Sequence, residues 1–238
     1  MLNALNSCLS FVQSRLPHPC LLCGATTHGD QLCPGCRQDL PILPPNRCPQ
    51  CGLPLSSQRG APHAGALCGA CLRHPPAYDH TVAVYAYDFP LDALVKHFKY
   101  QGALELAAWF AQGLAQQALG HNNVDMLIPM PLHAERLGER GFNQAAEITR
   151  HLAKHLQLPW LPCACQRVRN TPPQAGLDLK ARRRNMRGAF RCDVDLSGKR
   201  VALVDDVMTS GTSLNELART VKKAGAVSVA TWVVARTL

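Results

Sequence analysis

Val201-Ala202-Leu203-Val204-Asp205-Asp206-Val207-Met208-Thr209-Ser210-Gly211-Thr212-Ser213 decides how the chain is read. Residues 201–204 form a short apolar run, as in a strand buried on both faces of a parallel sheet. Two carboxylates follow, then a hydroxyl-rich loop with one glycine. Leu214, Leu217, Ala218 and Val221 recur at helical spacing, and Gly225 closes that helix as a C-terminal cap. Residues 227–234 make the next strand. This order places the loop beyond the carboxyl end of a strand, where open α/β sheets bind ligands.

The loop chemistry suits a sugar phosphate. Backbone N–H groups and the hydroxyls of Thr209, Ser210, Thr212 and Ser213 can wrap a phosphate at a helix N-terminus. Gly211 lets the backbone approach closely. Ionised Asp205 and Asp206 accept hydrogen bonds, which matches sugar hydroxyls or hydrated Mg²⁺. The stretch lacks the Gly-Lys-Ser/Thr of a nucleotide P-loop and the Gly-x-Gly-x-x-Gly of a dinucleotide site. The plainer reading is an ordinary strand-to-helix turn with an Asp pair as cap.

Cysteine use is the second signal. The chain has 238 residues and 12 cysteines, and 47% of it is hydrophobic. Residues 1–16 lack the basic and apolar regions of a secretory signal, and their leucines suggest a weak helical arm. No apolar run reaches the length of a membrane span. A cytoplasmic location is therefore expected, and a disulfide scaffold is not. Eight cysteines fall into the pairs Cys20/Cys23, Cys33/Cys36, Cys48/Cys51 and Cys68/Cys71. Each pair fits a knuckle donating two soft ligands to a tetrahedral zinc. Sequential and cross-braced pairing both remain open, as do an iron site and redox dithiols. His18, His28, His63 and His74 are read as surface residues. Residues 17–77 contain no Phe, Tyr or Trp, so metal must supply their folding energy. The same lack argues against base stacking by this module. The formal charge is +9. Two Cys₄ zinc sites at −2 each would bring it to about +5, which weakens charge as evidence for a nucleic-acid partner.

The remaining chain, 78–238, reads as the catalytic body. A strand is expected at 81–87. A helix follows with Leu91, Leu94, Val95 and Phe98 inward and Lys96, His97 and Lys99 decorating it. A second helix spans 104–119, and a strand spans 125–129. Residues 132–144 read as a polar loop in which Arg136 and Arg140 are suited to a pyrophosphate; Arg–Glu pairing with Glu135 and Glu139 is the alternative. Asn143 caps the next helix. An edge strand is expected at 161–165, and Cys163, Cys165 and Cys192 are read as small buried hydrophobes. Residues 167–191 carry eight Arg or Lys against Asp178 alone, as in a cationic flap, a solvated face or a nucleic-acid phosphate track.

Residues 201–213 resemble the phosphoribosyl pyrophosphate (PRPP) signature of type I phosphoribosyltransferases. More specifically, the chain resembles the ComF/GntX family, competence-type proteins with an N-terminal double zinc ribbon. The four cysteine pairs carry the likeness, with Pro131-Leu132-His133-x-x-Arg136, Arg140-Gly141-Phe142-Asn143-Gln144 and Arg169-x-Thr171-x-x-Gln174-x-x-Leu177. Arg182-x-x-Asn185, Ala189-Phe190, the 204–213 stretch and the closing Arg236-Thr237-Leu238 complete it. The resemblance implies an α/β fold of the type I phosphoribosyltransferase kind. A mostly parallel sheet flanked by helices would follow a small cysteine-rich zinc-ribbon domain. The expected divisions are an arm at 1–16, ribbons at 17–77 and a transferase-like domain at 78–238. Asp205 and Asp206 would be catalytic, contacting ribose. Thr209, Ser210, Gly211, Thr212 and Ser213 would hold the 5′-phosphate, and Arg136, Arg140 and Arg182 the pyrophosphate. Cys20, Cys23, Cys33, Cys36, Cys48, Cys51, Cys68 and Cys71 would bind two structural zinc ions; Mg²⁺ would accompany PRPP. The family is associated with DNA uptake and use of external DNA. A single-stranded DNA or uptake-helicase partner is one expectation, and a catalytically vestigial adaptor docking through its zinc ribbon is the alternative.

Overall fold

A computed structural model describes residues 16–55, 65–120, 123–169 and 184–238. The expected N-terminal arm, His63, Lys180, Arg182, Arg183 and the 171–177 part of the motif lie outside the described residues. The body is a four-stranded, all-parallel sheet in the order β3 (His80–Ala86), β8 (Ser228–Arg236), β7 (Arg200–Met208), β4 (Met126–Pro129). Among the described helices, α3 (Leu91–Tyr100), α4 (Glu105–Ala118) and α6 (Gln144–Leu156) supply the apolar cluster on one face. The other face carries α7 (Thr212–Lys223) and a short antiparallel ribbon of β5 (Cys165–Arg167) with β6 (Phe190–Cys192). The two central strands are buried on both faces, hence their unbroken apolar runs.

Local signals placed these helices well. Asn143 accepts from the N–H groups of Ala145 and Ala146 at 3.0 and 3.4 Å. Its Nδ2 also donates to the Met130 carbonyl at 3.0 Å, tying the start of α6 to the end of β4.

Three expectations need correction. Residues 132–144 are not a loop throughout: α5 (Ala134–Arg140) forms there, closed by Gly141 at φ 76°. The 161–165 edge strand is absent. Trp160 makes a single parallel bridge to Leu127, and strand structure starts at Cys165, paired with Cys192. Of the three cysteines read as small buried hydrophobes, Cys165 is buried and Cys192 half-buried, whereas Cys163 is exposed.

The cysteine-rich segment comprises β1 (Pro17–Pro19), β2 (Thr26–His28), α1 (Pro34–Gln38) and α2 (Gly69–Arg73). Between its halves, residues 41–43 lie antiparallel along β3. Ala86 N–H donates to Pro41 and Leu43 N–H to Val84. This covers the exposed edge of the sheet.

Candidate functional site

The cysteines sort sequentially. Cys20, Cys23, Cys33 and Cys36 form one cluster and Cys48, Cys51, Cys68 and Cys71 the other, with all ligand atoms of each within 4.8 Å of one another. The sites repeat the same local design. The first cysteine carbonyl accepts from a glycine N–H four residues on, Gly24 or Gly52, at 2.9 Å. Both glycines are left-handed, at φ 74° and 73°. The third cysteine N–H donates to the first cysteine Sγ at 3.3 Å in each site. Burial raises the Cys20 and Cys48 thiol pKa values, but such N–H donors outweigh it and bring them to about 6 and about 7. Cys36, Cys51 and Cys71 are pushed up instead, by neighbouring thiols and burial, so the fit to zinc rests on the four converging sulfurs of each site.

The acidic pair sits at the carboxyl end of β7. Neighbouring strand residues point to opposite faces, and the two carboxylates meet different partners. Asp206 is buried, and its Oδ2 lies 2.9 Å from Lys99 Nζ on α3. Asp205 is pushed up to about 7, first by burial and then by the Asp206 charge, against the pull of Lys99 and Arg167. Arg167, on β5, is depressed by burial and by Arg136 and raised by Asp205. Its guanidinium lies 6.0 Å from the Phe190 ring centre. Thus Lys99 and Arg167 bring positive charge to the two carboxylates, and Arg136 lies close enough to Arg167 to oppose its charge. Arg140 is otherwise engaged, 5.6 Å from the Tyr100 ring centre and donating to Gln144 at 3.2 Å.

Lys99 was read from sequence only as decorating its helix, and Arg167 as the start of the cationic 167–191 segment. Lys99 lies four residues after Val95, at the margin of the apolar stripe of α3, and that position was the available signal. Arg167 reaches Asp205 only because β5 folds over the sheet.

After Met208 the chain turns through 209–211 into α7. Gly211 is the N-cap, at φ 73°. Ser210 and Thr212 share a hydroxyl hydrogen bond of 2.8 Å. The first N–H groups of α7 have no intrahelical acceptors and face the loop. A Cβ on Gly211 would meet Met208 Cε at 2.8 Å and the Tyr78 hydroxyl at 2.9 Å. Gly211→Ala therefore combines left-handed strain with crowding, at about 2–3 kcal/mol. Urea denaturation should show that loss.

One concave surface adjoins the loop, and another runs along α7. The first, a cleft of 790 Å³, separates the loop from the second zinc site. Cys51, Arg73, His74, Pro75 and Tyr78 line one wall, and Ser210, Gly211, Thr212 and Asn215 the other. The second, an 830 Å³ groove along α7, is lined by Arg184, Arg187, Arg191, Arg219 and Lys223, with Phe190 and Glu216.

A zinc-ribbon pair joined to a parallel sheet with an acidic pair and a hydroxyl loop defines a zinc-containing phosphoribosyltransferase-like protein. Residues 11–73 match the double zinc ribbon domain model, and residues 144–237 match the phosphoribosyl transferase domain model. The chain is 36% identical over 197 residues to the DNA utilization protein YhgH of Salmonella typhimurium, covering 80% of this chain and 84% of that one. It is 34% identical over 228 residues to Competence protein F of Haemophilus influenzae, covering 91% and 96%. Among solved structures, a purine phosphoribosyltransferase from Pyrococcus horikoshii covers 54% of this chain and 80% of its own at 17% identity. Its TM-score is 0.33, too distant to bear on fold or function. The chain belongs to the ComF family. Among the described residues no helix is long and apolar enough to cross a membrane.

Proposed function

We propose that the transferase-like body, residues 78–238, binds PRPP with Mg²⁺ and transfers its phosphoribosyl group to an acceptor in the cytoplasm. The observation that carries this reading is the Asp205/Asp206 pair beside the 209–213 loop, with Lys99 and Arg167 near the carboxylates and Arg136 beside Arg167. In it, the loop amides and hydroxyls hold the 5′-phosphate. Asp205 and Asp206 accept hydrogen bonds from the ribose hydroxyls and orient the ring. Arg136 and Arg140, with Arg167 of the cationic segment, balance the charge of the departing pyrophosphate. Bound Mg²⁺ would supply further charge stabilisation on the pyrophosphate. Displacement at the anomeric carbon passes through an oxocarbenium-like state, so positioning is the protein's main task. The 790 Å³ cleft beside the loop offers room for an acceptor, and the second zinc ribbon forms one of its walls.

Calorimetric titration of the zinc-loaded protein with PRPP and Mg²⁺ tests this. Saturable binding lost in the Asp205→Asn, Asp206→Asn variant supports it, and no binding at millimolar ligand sinks it.

The names of the relatives concern DNA use and competence, and the basic groove favours a second, compatible reading: this chain handles single-stranded DNA. Arg184, Arg187, Arg191, Arg219 and Lys223 form a phosphate track in that reading, and Phe190 is the aromatic beside them. Replacing Arg187 and Arg219 with Ala should weaken binding to all sequences alike. The plot of log K against log salt should become shallower by about 0.7 per lost contact. Sequence-selective loss would contradict a phosphate track.

A further inference from the structure

Arg236 ends β8, and only 6% of it is exposed. A buried guanidinium needs acceptors for its fork of donors, and here they come from three separate segments. Nε donates to the Cys51 carbonyl at 2.9 Å. One terminal nitrogen donates to the Met208 carbonyl at 3.0 Å, to the Thr237 carbonyl at 2.6 Å and to the Thr209 carbonyl. Cys51 belongs to the second four-cysteine site. Met208 and Thr209 open the candidate phosphate loop. One side chain therefore pins the backbone of a metal knuckle to the backbone of that loop.

Two further contacts follow the same path. The Tyr78 hydroxyl packs where a Gly211 side chain would stand. The Ala77 N–H, leaving the ribbon segment, donates to Asn215 Oδ1 in the first turn of α7 at 2.6 Å. The first metal site is placed differently. Cys20 and Leu32 pack in the cluster on the α3, α4 and α6 face, away from the loop.

We propose that occupancy of the second zinc site controls the affinity of the 209–213 loop for a phosphorylated ligand, with Arg236 as the positioning residue that links them. The inference rests on reading that loop as a phosphate site. With metal bound, the knuckle holds the Cys51 carbonyl in place, Arg236 keeps that acceptor, and the Met208 and Thr209 carbonyls are fixed. The loop amides then face outward toward an anion. Without metal the knuckle loosens, Arg236 loses an acceptor, and the loop loses its anchor. The first site, lacking this link, has no such effect.

Coupling between two binding sites is reciprocal. A ligand in the loop must therefore hold zinc more tightly in the second site. The full-length, zinc-loaded protein is titrated with a zinc chelator, with and without saturating ribose 5-phosphate. Cysteine alkylation read by mass spectrometry reports each site separately. Ribose 5-phosphate should raise the zinc affinity of Cys48, Cys51, Cys68 and Cys71 about five- to tenfold, within the usual range for coupled sites, and leave the first site unchanged. Arg236→Met should retain both zinc ions, weaken ribose 5-phosphate about tenfold, and abolish the protection. Arg236→Lys, which keeps charge and one donor direction, should restore part of it.

Ligand binding to the wild-type protein with no protection, or with equal protection at both sites, overturns the coupling even if Arg236→Met fails to fold. Unchanged binding and protection in a folded Arg236→Met variant overturns the role of Arg236. If neither ribose 5-phosphate nor PRPP with Mg²⁺ binds the zinc-loaded wild-type protein, the phosphate reading fails first and takes this inference with it.

Discussion

Asp205→Asn and Asp206→Asn should each weaken PRPP·Mg²⁺ binding, and together they should abolish it, yet they should move stability in opposite directions. A hydrogen bond to a charged acceptor contributes about 1.5–3 kcal/mol. Losing two such acceptors weakens binding by about two orders of magnitude or more. The stability effects follow from the different environments. Asp206 is paired with Lys99, whose side chain is 20% exposed, and removing its charge leaves a largely buried ammonium without its hydrogen-bonded partner, facing only the more distant Asp205 carboxyl. Breaking such a pair costs about 3 kcal/mol. Asp205 has a carboxyl pKa raised to about 7 by burial and by Asp206. Below the ordinary carboxylate range it is protonated whether the chain is folded or unfolded, and its contribution is fully present. As pH rises through 7, the folded protein must ionise it unfavourably, and that contribution is lost. Asp205→Asn should therefore stabilise the protein more at pH 8 than at pH 5, by on the order of 1–2 kcal/mol. Urea denaturation at the two pH values checks both signs. Destabilisation of equal size by the two variants would contradict the environments described.

The second large effect concerns metal. Cys48→Ser should release one zinc ion and unfold the second ribbon, whereas Cys23→Ser should release the other and leave much of the first ribbon in place. Structural zinc supplies on the order of 10–16 kcal/mol to small fingers. What remains after its loss depends on apolar support. The second ribbon has only a small cluster of its own, Cys48, Cys51 and Cys71 with Cys68, Leu53 and Leu55 beside them. In the first, Leu32 and Leu40 are buried in the main cluster with Tyr85 and α4. Hydrogen exchange measured by mass spectrometry distinguishes the outcomes. Protection should vanish at 46–55 and 65–73 in Cys48→Ser and persist in part at 30–41 in Cys23→Ser. Equal loss in both variants would mean that the body does not support the first ribbon. The sequence argument that metal must fold this segment thus holds better for its second half, because the first borrows the core of the body.

Taken by itself, the sequence determined the local chemistry. Apolar runs, periodic helices, the Asn143 cap, the Gly211 turn and the cysteine knuckles all depend on residues within a few positions of one another, and those patterns survive being read in one dimension. It also placed Asp205 and Asp206 near a strand end, where the apolar run stops, although the strand continues to Met208 and Asp206 stays buried. Tertiary structure decided what depends on long-range proximity. It settled the cysteine pairing and turned part of a supposed loop into α5. It brought Lys99 to Asp206 and Arg167 toward Asp205, and it joined Arg236 to Cys51 and to the loop across the end of the sheet. These partners lie far apart in sequence, and no periodicity encodes them. Only the packing of helices and ribbons around the parallel sheet makes their charges neighbours.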